Sequence, residues 1–368
     1  MLKKSASIAD KLYTVIFFIG DIVMKVLTLH INECRPGMKT AQTVFNKYGA
    51  VLASNNSVLT TKSINKLSHF KIKTLKIYEE SEEVRLLNLQ AQLEIQHKEN
   101  VKALKQMMKN VSFGENFDPK SISEIADNLI LSYDSNEIVK KHIHSIKNIN
   151  DYIFNHSINS ALIAYVIGKK LNYSESEIQT LIQSALLHDI GMSKISKIIV
   201  NKTSSLTKDE YDAVKMHTKH GYDILKQHNA PEEALFSALL HHERNNGDGY
   251  LLGIEGSQIH DFARIISIAD VFSAMISDRV YRKKTTPFEV FKVLENEKHN
   301  SFDPLLVDVF LSTIPYNYVG EKVKLSTGEV AEIVHINPKN VSCPIVKKDS
   351  SYIDLNKLKN IKILEIKV

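Results

Sequence analysis

Ala185-Leu-Leu-His188-Asp189-Ile-Gly191 ends an apolar helical run in an adjacent histidine and aspartate, and a glycine then releases the chain. Both residue types are poor choices for a buried helix end unless something there needs them. A first-row divalent metal needs both, because imidazole nitrogen and carboxylate oxygen together suit iron, manganese and zinc. A single pair is weak support, so the surrounding chain has to supply partners.

It supplies them on both sides. From Asn150 to Leu311 one helical pattern follows another and strand alternation is absent, which predicts an all-α domain. Ser174-x-x-Glu177 and Thr207-x-x-Glu210 read as capping boxes before apolar-periodic stretches. Thr286-Pro287-Phe288-Glu289 adds a proline at the first helical position. Within this domain His156 lies where a helix begins, His217 lies in Val214-Lys-Met-His217, and His241-His242 end the helix Glu233 to Leu240. Asp270 follows Arg264-Ile-Ile-Ser-Ile-Ala269. Each sits beside an apolar run, which turns it inward, where an unpaired ionisable group is costly. Taken singly, His156 or His217 is more simply a hydrogen-bonded core histidine, and Asp270 a buried cap. His220 and His228 share a stretch with His217 and have no support as ligands. Two adjacent inward imidazoles at His241-His242 have little structural use, and the set says more than its members.

These residues carry a family resemblance. His188-Asp189-Ile-Gly191, His217, His241-His242-Glu243-Arg244 and Gly247-x-Gly249-Tyr250 resemble, in order, an HD-GYP domain, a branch of the HD superfamily of metal-dependent phosphohydrolases. Leu206-Thr-x-x-Glu210, Ala269-Asp270-Val and Ser277-Asp-Arg279-x-Tyr-Arg282 extend the likeness, which covers residues 150–315. The resemblance implies hydrolysis of cyclic di-GMP to the linear dinucleotide or to GMP. It implies two divalent metal ions, iron or manganese, held by His156, His188, Asp189, His217, His241, His242 and Asp270, with Asp189 bridging and catalytic. Two such cations activate a bridging water and clamp the phosphate for in-line attack. Arg279 and Arg282 resemble the family's phosphate-binding pair, an Arg fork being suited to phosphate. Gly249 and Tyr250 would line the substrate side.

The pattern also departs from the family. Gly-Tyr-Pro reads Gly249-Tyr250-Leu251; the aspartate expected after His-His-Glu-Arg is Asn246, with Asp248 two residues on. The lysine expected straight after His-Asp-Ile-Gly is Met192, which leaves Lys194 as the candidate for the phosphate or the leaving oxygen. Ser273 stands where an aspartate is common, and Asp151 is the one candidate carboxylate for a third metal. No proposed two-metal ligand is lost. The pocket loop is changed, since replacing proline by leucine frees a φ angle and adds bulk. Two alternatives follow: an inactive domain that binds nucleotide or a partner protein, and a phosphohydrolase for another cyclic dinucleotide.

The flanks read as accessory units around this mainly α domain. Residues 24–80 predict a small α+β domain, with strands at Val26–Ile31, Ala41–Phe45, Val51–Ala53 and Thr74–Tyr78 and a helix at Thr61–Phe70. Residues 81–149 predict a helical linker and lead-in helices. Its 84–110 stretch is compatible with a homodimer or with docking on its own domain. Residues 316–368 predict a small antiparallel β appendage from Glu321–Leu325, Val330–Ile336 and Ile361–Val368. The apolar run Leu12–Ile19 is too short to span a bilayer, and residues 1–23 are read as an extension upstream of a working start at Met24. Only Cys34 and Cys343 occur, which argues against a disulfide framework and fits a cytoplasmic location. The formal charge of +5 is spread over scattered lysines, so a nucleic-acid polymer is excluded as a partner.

Overall fold

The computed structural model describes residues 15–19, 22–79, 82–115, 119–133, 151–277, 285–358 and 360–367. They fall into two units, divided between Gln92 and Leu93.

In the first unit β1 (Val15–Ile19) pairs antiparallel with β2 (Ile22–His30), so the sheet begins before Met24. A short pair, β3 (Val44–Phe45) and β4 (Val51–Ala53), precedes α1 (Thr61–His69). β5 (Thr74–Glu79) then closes on β2, with Leu27 opposite Ile77 and Leu29 opposite Leu75. A reciprocal Thr60–Ser63 box starts α1, and Leu67 from that helix packs with Ile31, Leu59, Leu75 and Ile77. This is the expected α+β unit, with the second strand shorter than its alternation suggests.

α2 (Glu82–Ser112) runs from one unit into the other. From Leu93 onward its apolar face is spent inside the second unit, where Leu104, Met107, Met108 and Val111 are buried against the helical core. Of the two readings of this stretch, docking on its own domain accounts for residues 93–112. α3 (Pro119–Tyr133) follows. The rest of the lead-in, including His142 and His144, lies outside the described residues.

The site is built by the next helices: α4 (Tyr152–Lys170), α5 (Glu175–Leu187), α6 (Lys197–Val200), α7 (Lys208–Lys215), α8 (His217–Gln227), α9 (Glu232–Leu240) and α10 (Asp261–Ile276). Both capping boxes form: Ser174 with Glu177 starts α5, and Thr207 with Glu210 starts α7. α4 and α10 are buried on most of their surface, which is why neither reads as strongly amphipathic. α11 (Pro287–Glu297) and α12 (Pro304–Leu311) complete the bundle, with Thr286 accepting the Glu289 N–H at the start of α11.

The C-terminal sheet has five antiparallel strands in the order β10-β6-β7-β8-β9: β6 (Lys322–Leu325), β7 (Val330–Asn337), β8 (Asn340–Lys348), β9 (Ser351–Asp354) and β10 (Ile363–Lys367). It is less of an appendage than its sequence suggests. Val323, Leu325, Ile333 and Val346 share one core with the helices, and Tyr318 bridges the two parts against Phe288 and Phe291 at ring distances of 5.7 and 5.8 Å. No helix among the described residues is long and apolar enough to cross a membrane.

Candidate metal centre

The ligand candidates arrive from five places. His156 comes from the start of α4, and His188 and Asp189 from the end of α5. His217 opens α8, His241 and His242 follow α9, and Asp270 lies in the middle of α10. Gly191 makes the crossing possible: a Cβ there would stand 1.9 Å from the His217 carbonyl oxygen and 2.5 Å from the Gly221 nitrogen. Only a residue without a side chain lets the chain after Asp189 lie against the start of α8.

All seven candidates meet. Potential ligand atoms of Asp189, His217, His241 and His242 lie within 4.8 Å of one another, as do those of His156, His188 and Asp189, so Asp189 belongs to both groups. Its Oδ1 is 3.2 Å from His217 Nε2 and 3.7 Å from His241 Nε2; its Oδ2 is 3.6 Å from His188 Nε2 and 4.0 Å from His156 Nε2. Asp270 also spans the two groups, with Oδ1 2.9 Å from His156 Nε2 and Oδ2 3.7 Å from His242 Nδ1.

The far side of each ring fixes its tautomer. His188 Nδ1 donates to the Ala185 carbonyl at 2.7 Å, His217 Nδ1 to Val214 at 2.7 Å, and His241 Nδ1 to Ser237 at 2.9 Å. A carbonyl only accepts, so each Nδ1 carries a proton and each ring turns its Nε2 inward, available as a lone pair when the ring is neutral. His156 is oriented by another route: its Nδ1 lies 2.9 Å from the Ser273 hydroxyl, which also reaches the His156 carbonyl at 3.3 Å. His217 Nε2 and His241 Nε2 lie 3.4 Å apart, and His188 Nε2 is buried without a hydrogen-bond partner. Imidazoles and two carboxylates converging in this way offer the mixed nitrogen and oxygen donor set that divalent cations take.

The electrostatics agree with that reading. Burial pushes the His188 imidazolium down to about 4 and His242 well below its ordinary value, so both rings are neutral at pH 7. Burial alone would raise the Asp189 and Asp270 carboxyls. The surrounding histidines overcome it and hold both below the usual carboxylate range. His217 goes the other way: burial lowers it, but contact with Asp189 leaves it raised.

The wall beside this cluster is the segment from Glu243 to Gly253. Glu243 is buried, and its carboxylate accepts the Leu252 N–H at 2.7 Å and the Gly253 N–H at 3.1 Å. Arg244 donates to the Glu243 carbonyl at 2.9 Å and to Ser267 Oγ at 2.7 Å, with its guanidinium over the Phe302 ring. Gly249 passes so close to this turn that a Cβ would sit 2.4 Å from Glu243 Cα. Tyr250 stacks on His242, ring centroids 4.6 Å apart, and its peptide bond to Leu251 is cis.

In the sequence Glu243 and Arg244 stand only as parts of the His-His-Glu-Arg pattern. Their charge beside two histidines was the available signal, and their role is to clamp the loop. Asn246 donates to Asp248 at 2.8 Å and to Asn300 at 3.1 Å, which ties the altered positions to each other. Lys194 points its ammonium at the Val111 carbonyl, 3.3 Å away. The Asp151 carboxylate takes Lys105 at 2.6 Å, so the candidate for a third metal is committed elsewhere. Tyr152 instead stacks beside His156, at 5.6 Å. Arg279 and Arg282 lie outside the described residues.

Residues 133–306 match the model of the HD domain. The chain is 26% identical over 246 residues to the cyclic di-GMP phosphodiesterase PA4108 of Pseudomonas aeruginosa, covering 67% of this chain and 59% of the relative. It is 35% identical over 151 residues to the cyclic di-GMP phosphodiesterase response regulator RpfG of Xanthomonas campestris, covering 40% of each. It is 32% identical over 153 residues to 3'3'-cGAMP-specific phosphodiesterase 3 of Vibrio cholerae, covering 42% of this chain and 33% of the relative. The chain thus spans less than two thirds of the length of these relatives.

Proposed function

We propose that this chain, whose residues 133–306 are an HD domain, hydrolyses the phosphodiester bond of a cyclic dinucleotide, cyclic di-GMP first, with two divalent cations of iron or manganese. The observation that carries this reading is Asp189, a carboxylate common to two groups of inward-facing imidazoles. His156 and His188 would hold one cation and His217, His241 and His242 the other, with Asp189 and Asp270 in reach of both groups. Two such cations, when bound, supply an activated water and neutralise charge on the phosphate.

The chain's own part is positional. Carbonyls orient His188, His217 and His241, and Ser273 orients His156, so these four rings need not turn when substrate arrives. Glu243 and Arg244 hold the loop that sets Gly249 and Tyr250 beside the cluster. Arg279 and Arg282 are assigned to the phosphate oxygens, and the product is the linear dinucleotide or GMP. Two widely separated cysteines and the nucleotide substrate fit a cytoplasmic protein of bacterial second-messenger signalling.

One observation favours a second reading, a nucleotide-binding domain without turnover: the ammonium of Lys194, the assigned aid to the leaving oxygen, rests on the Val111 carbonyl. Anaerobically purified protein is analysed for metal and then incubated with cyclic di-GMP. Two metals per chain and a linear product from wild type, with both lost in His188→Ala and Asp189→Ala, support hydrolysis. Metal-loaded wild type that binds cyclic di-GMP and releases no product overturns it in favour of the binding domain.

A further inference from the structure

A second surface joins the cluster to solvent, and nothing in the metal chemistry requires it. Outward from His242 comes Tyr250, stacked on it and tied to it by the Tyr250 N–H donating to the His242 carbonyl at 3.2 Å. Tyr250 in turn meets Tyr211 of α7 nearly edge-on, at 6.5 Å and 73°. The Lys215 ammonium lies 4.7 Å from the Tyr211 ring centre and 5.9 Å from that of Tyr250. Asp212 holds that ammonium at 2.8 Å along the same helix, and His217 begins the next helix two residues later.

Tyr211 stands at the outer end of this row of rings. The residue remains 47% exposed, so an open ring surface is left after Lys215 and Tyr250 have made their contacts. An exposed aromatic face next to a cation, reached through stacked rings from a phosphate-directed cluster, matches the two surfaces of a nucleotide: a purine π-face and an anionic phosphate. A small phosphoester without a base has no use for it.

We propose that Tyr211 is a stacking platform for one purine of the substrate, and that Lys215 sets the platform and neutralises the phosphate not engaged at the metal cluster. The assignment rests on the reading that the site takes a cyclic dinucleotide. It adds a specificity-determining position that lies in none of the family's quoted signature segments.

The chain has no tryptophan, so Tyr211→Trp creates a single indole that keeps an aromatic face at this position and reports on it directly. At fixed manganese, cyclic di-GMP should quench that emission in a saturable way, while dimethyl phosphate, a diester without a base, should not. Tyr222→Trp is the matched control. Tyr222 also lies near lysine ammonium groups, at 5.9 and 5.6 Å. Five residues beyond His217 on α8, it is turned about 140° from it around the helix.

By equilibrium binding, Tyr211→Ala should raise the Kd for cyclic di-GMP roughly tenfold, with Tyr211→Phe within about threefold of wild type. Lys215→Met should weaken binding most at low salt. An unchanged Kd in Tyr211→Ala, or equal quenching by dimethyl phosphate, overturns the platform and leaves hydrolysis by wild type standing. Quenching with no product from wild type upholds the platform and overturns the hydrolase reading.

Discussion

The floor and the rim of the candidate centre are built by different rules. On the floor, three of the imidazoles are fixed by carbonyls three or four residues earlier in their own stretch of chain: His188 by Ala185, His217 by Val214 and His241 by Ser237. The helix end that delivers the ligand also sets its tautomer. On the rim, Glu243 reaches nine and ten residues ahead to hold Leu252 and Gly253, and Arg244 reaches Ser267 on α10. A floor made of local bonds survives changes in the loop above it, whereas the rim depends on distant partners. The Gly249-Tyr250-Leu251 loop lies in the part held from a distance, and the three carbonyl-anchored imidazoles do not depend on it for their orientation.

The sharpest way to break this division is to remove the group that both halves of the floor share. Asp189→Asn should abolish bound metal and turnover together, measured by elemental analysis and product formation on one preparation. Retention of two metals in that variant would dissolve the special place of Asp189.

Acid separates the floor next. In metal-free protein the buried His188 resists protonation down to about 4, against an ordinary value near 6.5. Below pH 6.5 the unfolded chain therefore takes up a proton that the folded chain refuses, and stability falls as pH drops towards 4. The loss from this ring approaches roughly 3 kcal/mol when the shift is complete. Asp189 and Asp270, held low, lose stability in the same direction at still lower pH. His217, held high, opposes them: its contribution is full below its unfolded value and fades as pH rises through the folded one. Urea midpoints of chelator-treated protein at pH 7.5 and pH 5 measure the slope. His188→Asn should flatten it, and an unchanged slope in that variant would remove His188 as its source.

The rim gives a smaller and different signature. Glu243→Gln weakens the acceptor for two loop N–H groups, a cost of about 1–3 kcal/mol for a buried charge-assisted contact. Thermal stability and affinity for cyclic dinucleotide should fall while metal content stays at the wild-type level. Loss of metal in Glu243→Gln would show that floor and rim are one structure.

The same division explains what the sequence discloses. The seven ligand candidates were legible because each sits at a helix end or on a buried helix face, and burial makes an ionisable residue conspicuous. Ser273, Glu243 and Arg244 act through partners distant in sequence, and no local pattern announces such a partner. Ser273 was noticed only as a departure from a family habit. β8 escapes for a physical reason: Asn340-Val-Ser-Cys-Pro-Ile carries a proline where a central strand should have a donor. The sheet absorbs Pro344 where the β7–β8 register is irregular, between the Ile345–His335 and Asn340–Asn337 pairings. The shared core of that sheet with α11 was likewise invisible, because alternation shows that a strand has a buried face and not what covers it.

The smallest effect tests the one place where the floor borrows a rim-like device. His156 alone among the four Nε2-directed rings is oriented by a side chain of another helix, Ser273 of α10, at 2.9 Å. Ser273→Ala removes that hydrogen-bond partner from a fully buried position, while the bonds of His188, His217 and His241 to their carbonyls are untouched. Loss of such an outer partner lowers metal affinity about tenfold. The loss should fall on the cation served by His156 and His188 and spare the one served by His217, His241 and His242. Manganese titration of Ser273→Ala should therefore resolve one site of wild-type affinity and one weakened site. Equal weakening of both would mean that the groups are coupled through Asp270, which touches His156 at 2.9 Å and approaches His242 at 3.7 Å, more strongly than the separate anchoring of their rings implies.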